Sequence, residues 1–327
     1  MDNLTQISKA ANPGAGDVYV NGILPNVAIA YFQTQGGLHE TFPAVPVELQ
    51  TGIFAAFARA DSMRVQTELK APNASIAQIG FNTDLTGTYS CKVYEAEYAP
   101  PPEVVANYRL PLSLDMAATK ILARSAYLRR ELSWTAANFT TGIWGTDKTV
   151  AVTWDDPSSD PIGDIETGCR TVLLATGMMP NTLSIGYDVW KALKQHPDII
   201  ARIGTGNASN VDPRMVTKQL VAALFGLEEV VVGSVVYNTA ASGAAISMAF
   251  SAGKNALLSY KTSSPSILEP SAGYMFAWSG LTSSINGLQV RKGRDDRRDE
   301  GWYQIRHSEN FKVTAPELGY FFTACVA

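Results

Sequence analysis

The chain has three histidines, His39, His196 and His307, and three cysteines, Cys91, Cys169 and Cys325. Either type can ligate a metal or act as a base or nucleophile. Both uses need partners at short, defined spacings. Zinc sites gather Cys and His roughly two to five residues apart, and none of the three histidines lies near a cysteine or in a His-Glu-x-x-His frame. Cys169 falls on the apolar side of a candidate helix and Cys325 in an apolar final strand, where a thiol behaves as a small hydrophobe. Scattered thiols in odd number give no disulfide framework. A Gly-x-Ser-x-Gly elbow and a Gly-x-x-x-x-Gly-Lys-Ser/Thr phosphate loop are both absent from the sequence. Gly14-Ala15-Gly16 lacks the third glycine and the preceding strand of a dinucleotide site.

Carboxylates cluster at Asp155, Asp156, Asp160, Asp164 and Glu166. Acid–base work would need them to converge in a cleft. Local roles explain them first: Asp160 precedes Pro161 as a helix N-cap, and Asp164 and Glu166 complement the first turn. The densest charge is Arg291, Lys292, Arg294, Asp295, Asp296, Arg297, Arg298, Asp299 and Glu300. A phosphate-binding patch would be basic and unmixed. A balanced cluster is either a solvated loop or a surface that pairs with another copy of itself, and the second reading is favoured. No enzyme activity, metal or cofactor is expected.

The elements that would carry these groups are those of an α+β protein of 327 residues, enough for about two domains. Charged residues make up only 17%, against about 25% in an ordinary soluble domain, which suits a chain whose surface is largely interface. The net charge of −4 argues against a nucleic-acid-coating surface. No apolar run reaches the ~18 residues of a membrane span, and the first residues lack the basic and apolar regions of a secretory signal.

Residues 1–50 show no sustained period and are rich in Pro and Gly; they read as an extended arm, with strand character at Val18–Val20 and Val27–Phe32. Residues 60–98 read as a long hairpin that pairs Ser62–Lys70 with Thr88–Tyr98, too poor in apolar mass to stand alone. Pro100-Pro101-Pro102 ends it. A helix from Ser113 to Asn138 follows, with Leu114, Ala118, Ile121, Ser125, Leu128 and Leu132 on one face and Arg130 and Glu131 among the charges on the others. Further helices are expected at 160–177, 187–195, 197–203 and 215–225, with Gly177 and Gly226 as stops. Strands are expected at 181–186, 229–236, 256–261, 274–278, 287–291, 302–307 and 318–326, with a small-residue loop at 239–253.

Asn181-Thr-Leu-Ser-Ile-Gly-Tyr-Asp-Val-Trp-Lys-Ala-Leu-Lys-Gln-His-Pro-Asp-Ile-Ile-Ala-Arg-Ile203 resembles the signature block of tailed-bacteriophage major capsid proteins. Phe139-Thr-Thr-Gly-Ile-Trp-Gly-Thr-Asp147, Leu224-Phe-Gly-Leu-Glu-Glu-Val230, Tyr237-Asn-Thr239, Pro270-Ser-Ala-Gly-Tyr274 and Ala315-Pro-Glu-Leu-Gly-Tyr320 are similar to the same family, collinear over roughly residues 50–327.

The resemblance implies a Hong Kong-97-type capsid fold: an N-terminal arm (1–50), an extended β-hairpin loop with flanking strands (51–102), a peripheral domain with a long spine helix (103–160 and 271–327) and a mainly axial domain (161–270). It implies a shell of hexameric and pentameric capsomers that encloses double-stranded DNA without sequence-specific binding. The shell would form in the host bacterial cytoplasm and remain as the virion capsid. Separate scaffolding, portal and decoration proteins are the expected partners. The alternative is the shell of an encapsulin-like compartment. Inter-subunit contacts are expected at Arg64, Glu68, Lys70, Lys92 and Glu95 of the loop, and at Arg294, Asp295, Arg297, Arg298 and Asp299 of the charge cluster. Some relatives join subunits by lysine–asparagine crosslinks. Lys70 is a conceivable donor, but no partner is identifiable and no crosslink is expected.

Overall fold

A computed structural model describes residues 36–57, 63, 65, 67, 83–101, 114–204, 216–241, 243–265, 269–281, 287–295 and 300–327. Residues 1–35, with the strands expected there, lie outside this set. Residues 36–50, expected to belong to the arm, are part of the body of the fold. Leu38 and Phe42 are buried in its core, and strand β1 (Ala44–Val47) pairs in parallel with β11 (Gly273–Trp278).

The hairpin differs from expectation. β2 (Thr51–Phe57) pairs with β3 (Thr83–Ser90), whereas β4 (Lys92–Tyr98) leaves the ribbon and pairs with β13 (Glu300–Val313). The expected strand 88–98 therefore breaks at buried Cys91. Its N–H donates to the Gln50 carbonyl at 2.8 Å and its Sγ to the Phe276 carbonyl at 3.4 Å, so it belongs to neither ladder. Most of the expected partner, Ser62–Lys70, lies outside the described residues.

Helix α1 (Leu114–Asn138) is the predicted spine. Its buried face differs from the predicted one. Ala118 is buried as expected, but it is joined by Leu122, Ala123, Ala126, Tyr127 and Trp134, whereas Ile121 is 60% exposed and Ser125 is exposed. Small side chains let the helix approach the sheet, where Leu288, Val290, Tyr303 and Ile305 meet it. Arg130 and Glu131, expected outside, are buried.

The segment 139–147 stops the helix. Trp144 Nε1 donates to the Asn138 carbonyl at 2.7 Å, and the Gly145 N–H donates to the Pro316 carbonyl at 2.7 Å. It leads into β5 (Thr146–Thr149).

Helix α2 (Pro161–Thr176) follows the sequence reading closely. Asp160 accepts from the Gly163 N–H at 2.8 Å, and Gly177 ends the helix at φ 71°. Next come β6 (Thr182–Gly186), α3 (Tyr187–Gln195), α4 (Pro197–Gly204), α5 (Lys218–Phe225) capped by Thr217, and β7 (Glu229–Gly233). The expected loop 239–253 holds more order than predicted. β8 (Val236–Asn238) and β9 (Met248–Phe250) form a ribbon paired with neither larger sheet. β10 (Ala256–Ser259), β12 (Leu288–Asp295) and β14 (Gly319–Thr323) complete the strands.

Two five-stranded sheets result. One runs β5-β14-β10-β6-β7, so β5 and β14, expected in the peripheral domain, join the strands of the axial segment. Asn181 pins this sheet: its side chain donates to the Lys261 carbonyl and accepts the Lys261 N–H, both at 2.8 Å. The other sheet centres on β13, flanked on one side by β11 and then β12, and on the other by β4.

Candidate assembly surfaces

The residues that could do covalent or metal chemistry are structural where the structure describes them. All three thiols are buried. Burial pushes Cys91 and Cys169 up to about 11 and Cys325 higher still, so they stay protonated. His196 Nδ1 accepts the Asp198 N–H at 3.3 Å, which leaves Nε2 to donate to Ser159 Oγ at 3.1 Å. Asp164 accepts from Trp154 Nε1 at 3.0 Å, and Asp156 accepts from the Ser158 N–H at 2.8 Å. Among the described residues no cluster of His, Cys, Asp or Glu could hold a metal, and no helix is long and apolar enough to cross a membrane.

Three surfaces stand out instead. The first is the β8–β9 ribbon. Val236 lies opposite Phe250 and Asn238 opposite Met248, so Val236, Met248 and Phe250 share one face. That face is open: Met248 is 60% exposed, Ile246 79%. Tyr187 stacks on Phe250 with ring centroids 5.2 Å apart. No charged residue occurs between Glu229 and Lys254.

The second surface is the β2–β3 ribbon. Its root is anchored on Phe276, where Phe54 stacks at 5.7 Å and Tyr89 at 4.7 Å. Ile53, on β2 between Phe54 and the position opposite Tyr89, is exposed, and so is Val65 in the segment that links the two strands. The third surface lies on the same sheet face as Phe276, farther along β13. Alternation places Gln304 and Arg306 of β13, Glu95 and Glu97 of β4 and Arg291 of β12 on the side away from α1. Arg306 pairs with Glu95 directly across the ladder, and Gln304 donates to Glu95 at 3.2 Å. Burial, with Arg306 nearby, pushes the Arg291 guanidinium below its usual value, and Glu95 opposes the shift.

The expected contact residues divide accordingly. Arg64, Glu68, Lys70, Arg297, Arg298 and Asp299 lie outside the described residues. Lys92 is exposed at the start of β4. Glu95 is engaged within the chain. Arg294 and Asp295, read as part of a loop cluster, lie on β12, with Asp295 opposite Glu300. Gly293 is needed there because Trp302 crosses it: a Cβ would stand 2.3 Å from the indole. Sequence reasoning missed the apolar face of β8–β9, whose signal was the long charge-free run, and the buried charges of α1, which gave no signal.

The family models searched include no match to this chain. The major capsid protein of Burkholderia phage BcepMu is 27% identical over 222 residues, covering 67% of this chain and 70% of that protein. The major capsid protein of Pseudomonas phage JBD67 is 26% identical over 317 residues, covering 93% and 96%. Among solved structures, a phage-related protein from Bordetella bronchiseptica RB50 superposes with a TM-score of 0.70 at 23% identity, covering 94% of this chain and 98% of that one. The fold is shared with the capsid of cyanophage P-SCSP1u (TM-score 0.55, 11% identity, 88% of each chain). It is also shared with the SrpI encapsulin of Synechococcus elongatus (TM-score 0.51, 12% identity, 87% and 85%).

Proposed function

We propose how this chain, a major capsid protein of the tailed-phage kind with the Hong Kong-97-type fold, builds its shell: rings of five and six copies meet at the β8–β9 ribbon. The supporting observation is that ribbon's exposed, apolar, charge-free face. Copies related by a rotation axis bring equivalent side chains together, and a charge there would face its own image, at a cost of several kcal/mol. A neutral apolar face avoids this and gains by burial at about 25 cal/mol per Å².

The β2–β3 ribbon and the segment that links its strands then lap a neighbouring subunit, where the exposed Ile53 and Val65 find cover. The charged face of β4, β13 and β12, with the charged residues 296–299 that follow β12 in sequence, meets the next capsomer. The shell encloses double-stranded DNA without sequence-specific contact, assembles in the host bacterial cytoplasm with separate scaffolding, portal and decoration proteins, and acts as a structural protein only. The two curated relatives are phage proteins, which favours this over an encapsulin-like compartment.

Met248→Asp tests the ring contact. A folded variant whose yield of rings and particles falls at least about tenfold is expected. Wild-type assembly by a folded M248D protein would overturn the reading.

A further inference from the structure

Glu131 is fully buried in α1. Its Oε1 accepts the Leu38 N–H at 3.1 Å and the Ser251 hydroxyl at 3.2 Å; its Oε2 accepts the His39 N–H at 3.1 Å and lies 2.9 Å from His39 Nδ1. A buried carboxylate needs such donors, because an unsatisfied one costs several kcal/mol. Here they come from two distant segments. Leu38 and His39 stand where residues 1–35 join the body of the protein. Ser251 closes the β8–β9 ribbon, its own N–H donating to the Val235 carbonyl at 2.9 Å. A second link runs beside the first, since Leu38 packs so closely on Gly233 that a Cβ there would stand 2.9 Å from Leu38 Cγ.

We propose that Glu131 is a positioning residue that couples the β8–β9 ribbon to the root of the N-terminal segment. Ser251 and Leu38 share one carboxylate oxygen, so the Ser251 bond holds the carboxylate in the rotamer that Leu38 and His39 need. Ordering the ribbon orders the root, and the reverse. The biological trigger, engagement of the ribbon by a neighbouring copy, rests on the reading above. The coupling itself is a property of the single subunit and is tested there, so it can fail while the ring contact stands.

The test is amide hydrogen exchange on protein kept unassembled by dilution. Ser251→Ala removes the hydroxyl that donates to Glu131, and is expected to speed exchange at Leu38 and His39 by about fivefold, the effect of one hydrogen bond. Val172 in α2 should not change. His39→Gln should speed exchange at Ser251 by a similar factor. Faster exchange at Ser251 alone in S251A, with Leu38 and His39 unchanged, would overturn the coupling and leave Glu131 a plain anchor. If S251A loosens Val172 as well, the H39Q reading at Ser251 decides: about fivefold supports the proposal and no change overturns it.

Discussion

Arg130 of α1 donates through Nε to Glu309 of β13, and His307 Nδ1 stands 3.1 Å from the same carboxylate oxygen. Both partners of this ion pair are buried, so it ties the spine helix to the central strand. Burial pushes the Glu309 carboxyl up, but Arg130 and His307 outweigh it and hold it below the ordinary 4.5. A depressed folded value stabilises the protein above the unfolded one, and that contribution is lost as pH falls through the folded value. Urea midpoints measured from pH 5 downward should fall more steeply for the wild type than for Glu309→Gln. Arg130→Ala, which strands the carboxylate, should cost about 3–5 kcal/mol at neutral pH.

Tyr89 and Phe54 hold the β2–β3 ribbon on Phe276. Removing one ring loses an aromatic pair and part of a buried side chain, about 1–3 kcal/mol. Tyr89→Ala should therefore raise protease cleavage between β2 and β3 severalfold while thermal unfolding of the rest shifts little. A large loss of global stability with no change in cleavage would mean that the stack serves the sheet and not the ribbon.

Gly319 leaves room for Trp144, since a Cβ there would stand 2.0 Å from the indole. The indole cannot move without losing its bond to the Asn138 carbonyl. Gly319→Ala should cost about 1–3 kcal/mol by overpacking, read as a drop in the melting midpoint.

Paired reversal of Arg297 and Arg298 to Glu should weaken contacts between capsomers while sparing the rings. Exposed pairs are screened by salt, so the defect should be greatest at low ionic strength in a particle-yield assay. Equal yields at low salt would remove the charge cluster from the interface.

Local signals were legible in the sequence. Asp160, Pro161 and Gly177 fixed both ends of α2 because a cap, a proline and a left-handed glycine act within a few residues. Partner choice was not legible. Alternation over 88–98 identified strand but could not show that Cys91 divides it between two ladders. On α1, periodicity picked out Ala118 correctly but also favoured Ile121 and Leu128, whereas close packing on the sheet selected Ala123 and Ala126. The same shift buried Arg130 and Glu131, whose partners lie on β13 and at residues 38–39, far away in sequence.

The most direct measurement of the central claim is electron microscopy of the purified chain under assembly conditions. Closed icosahedral shells built of five- and six-membered rings are expected, with the β8–β9 ribbon at each ring axis. A dispersed monomer under every assembly condition, or rings that place that ribbon on the outer rim, would contradict it.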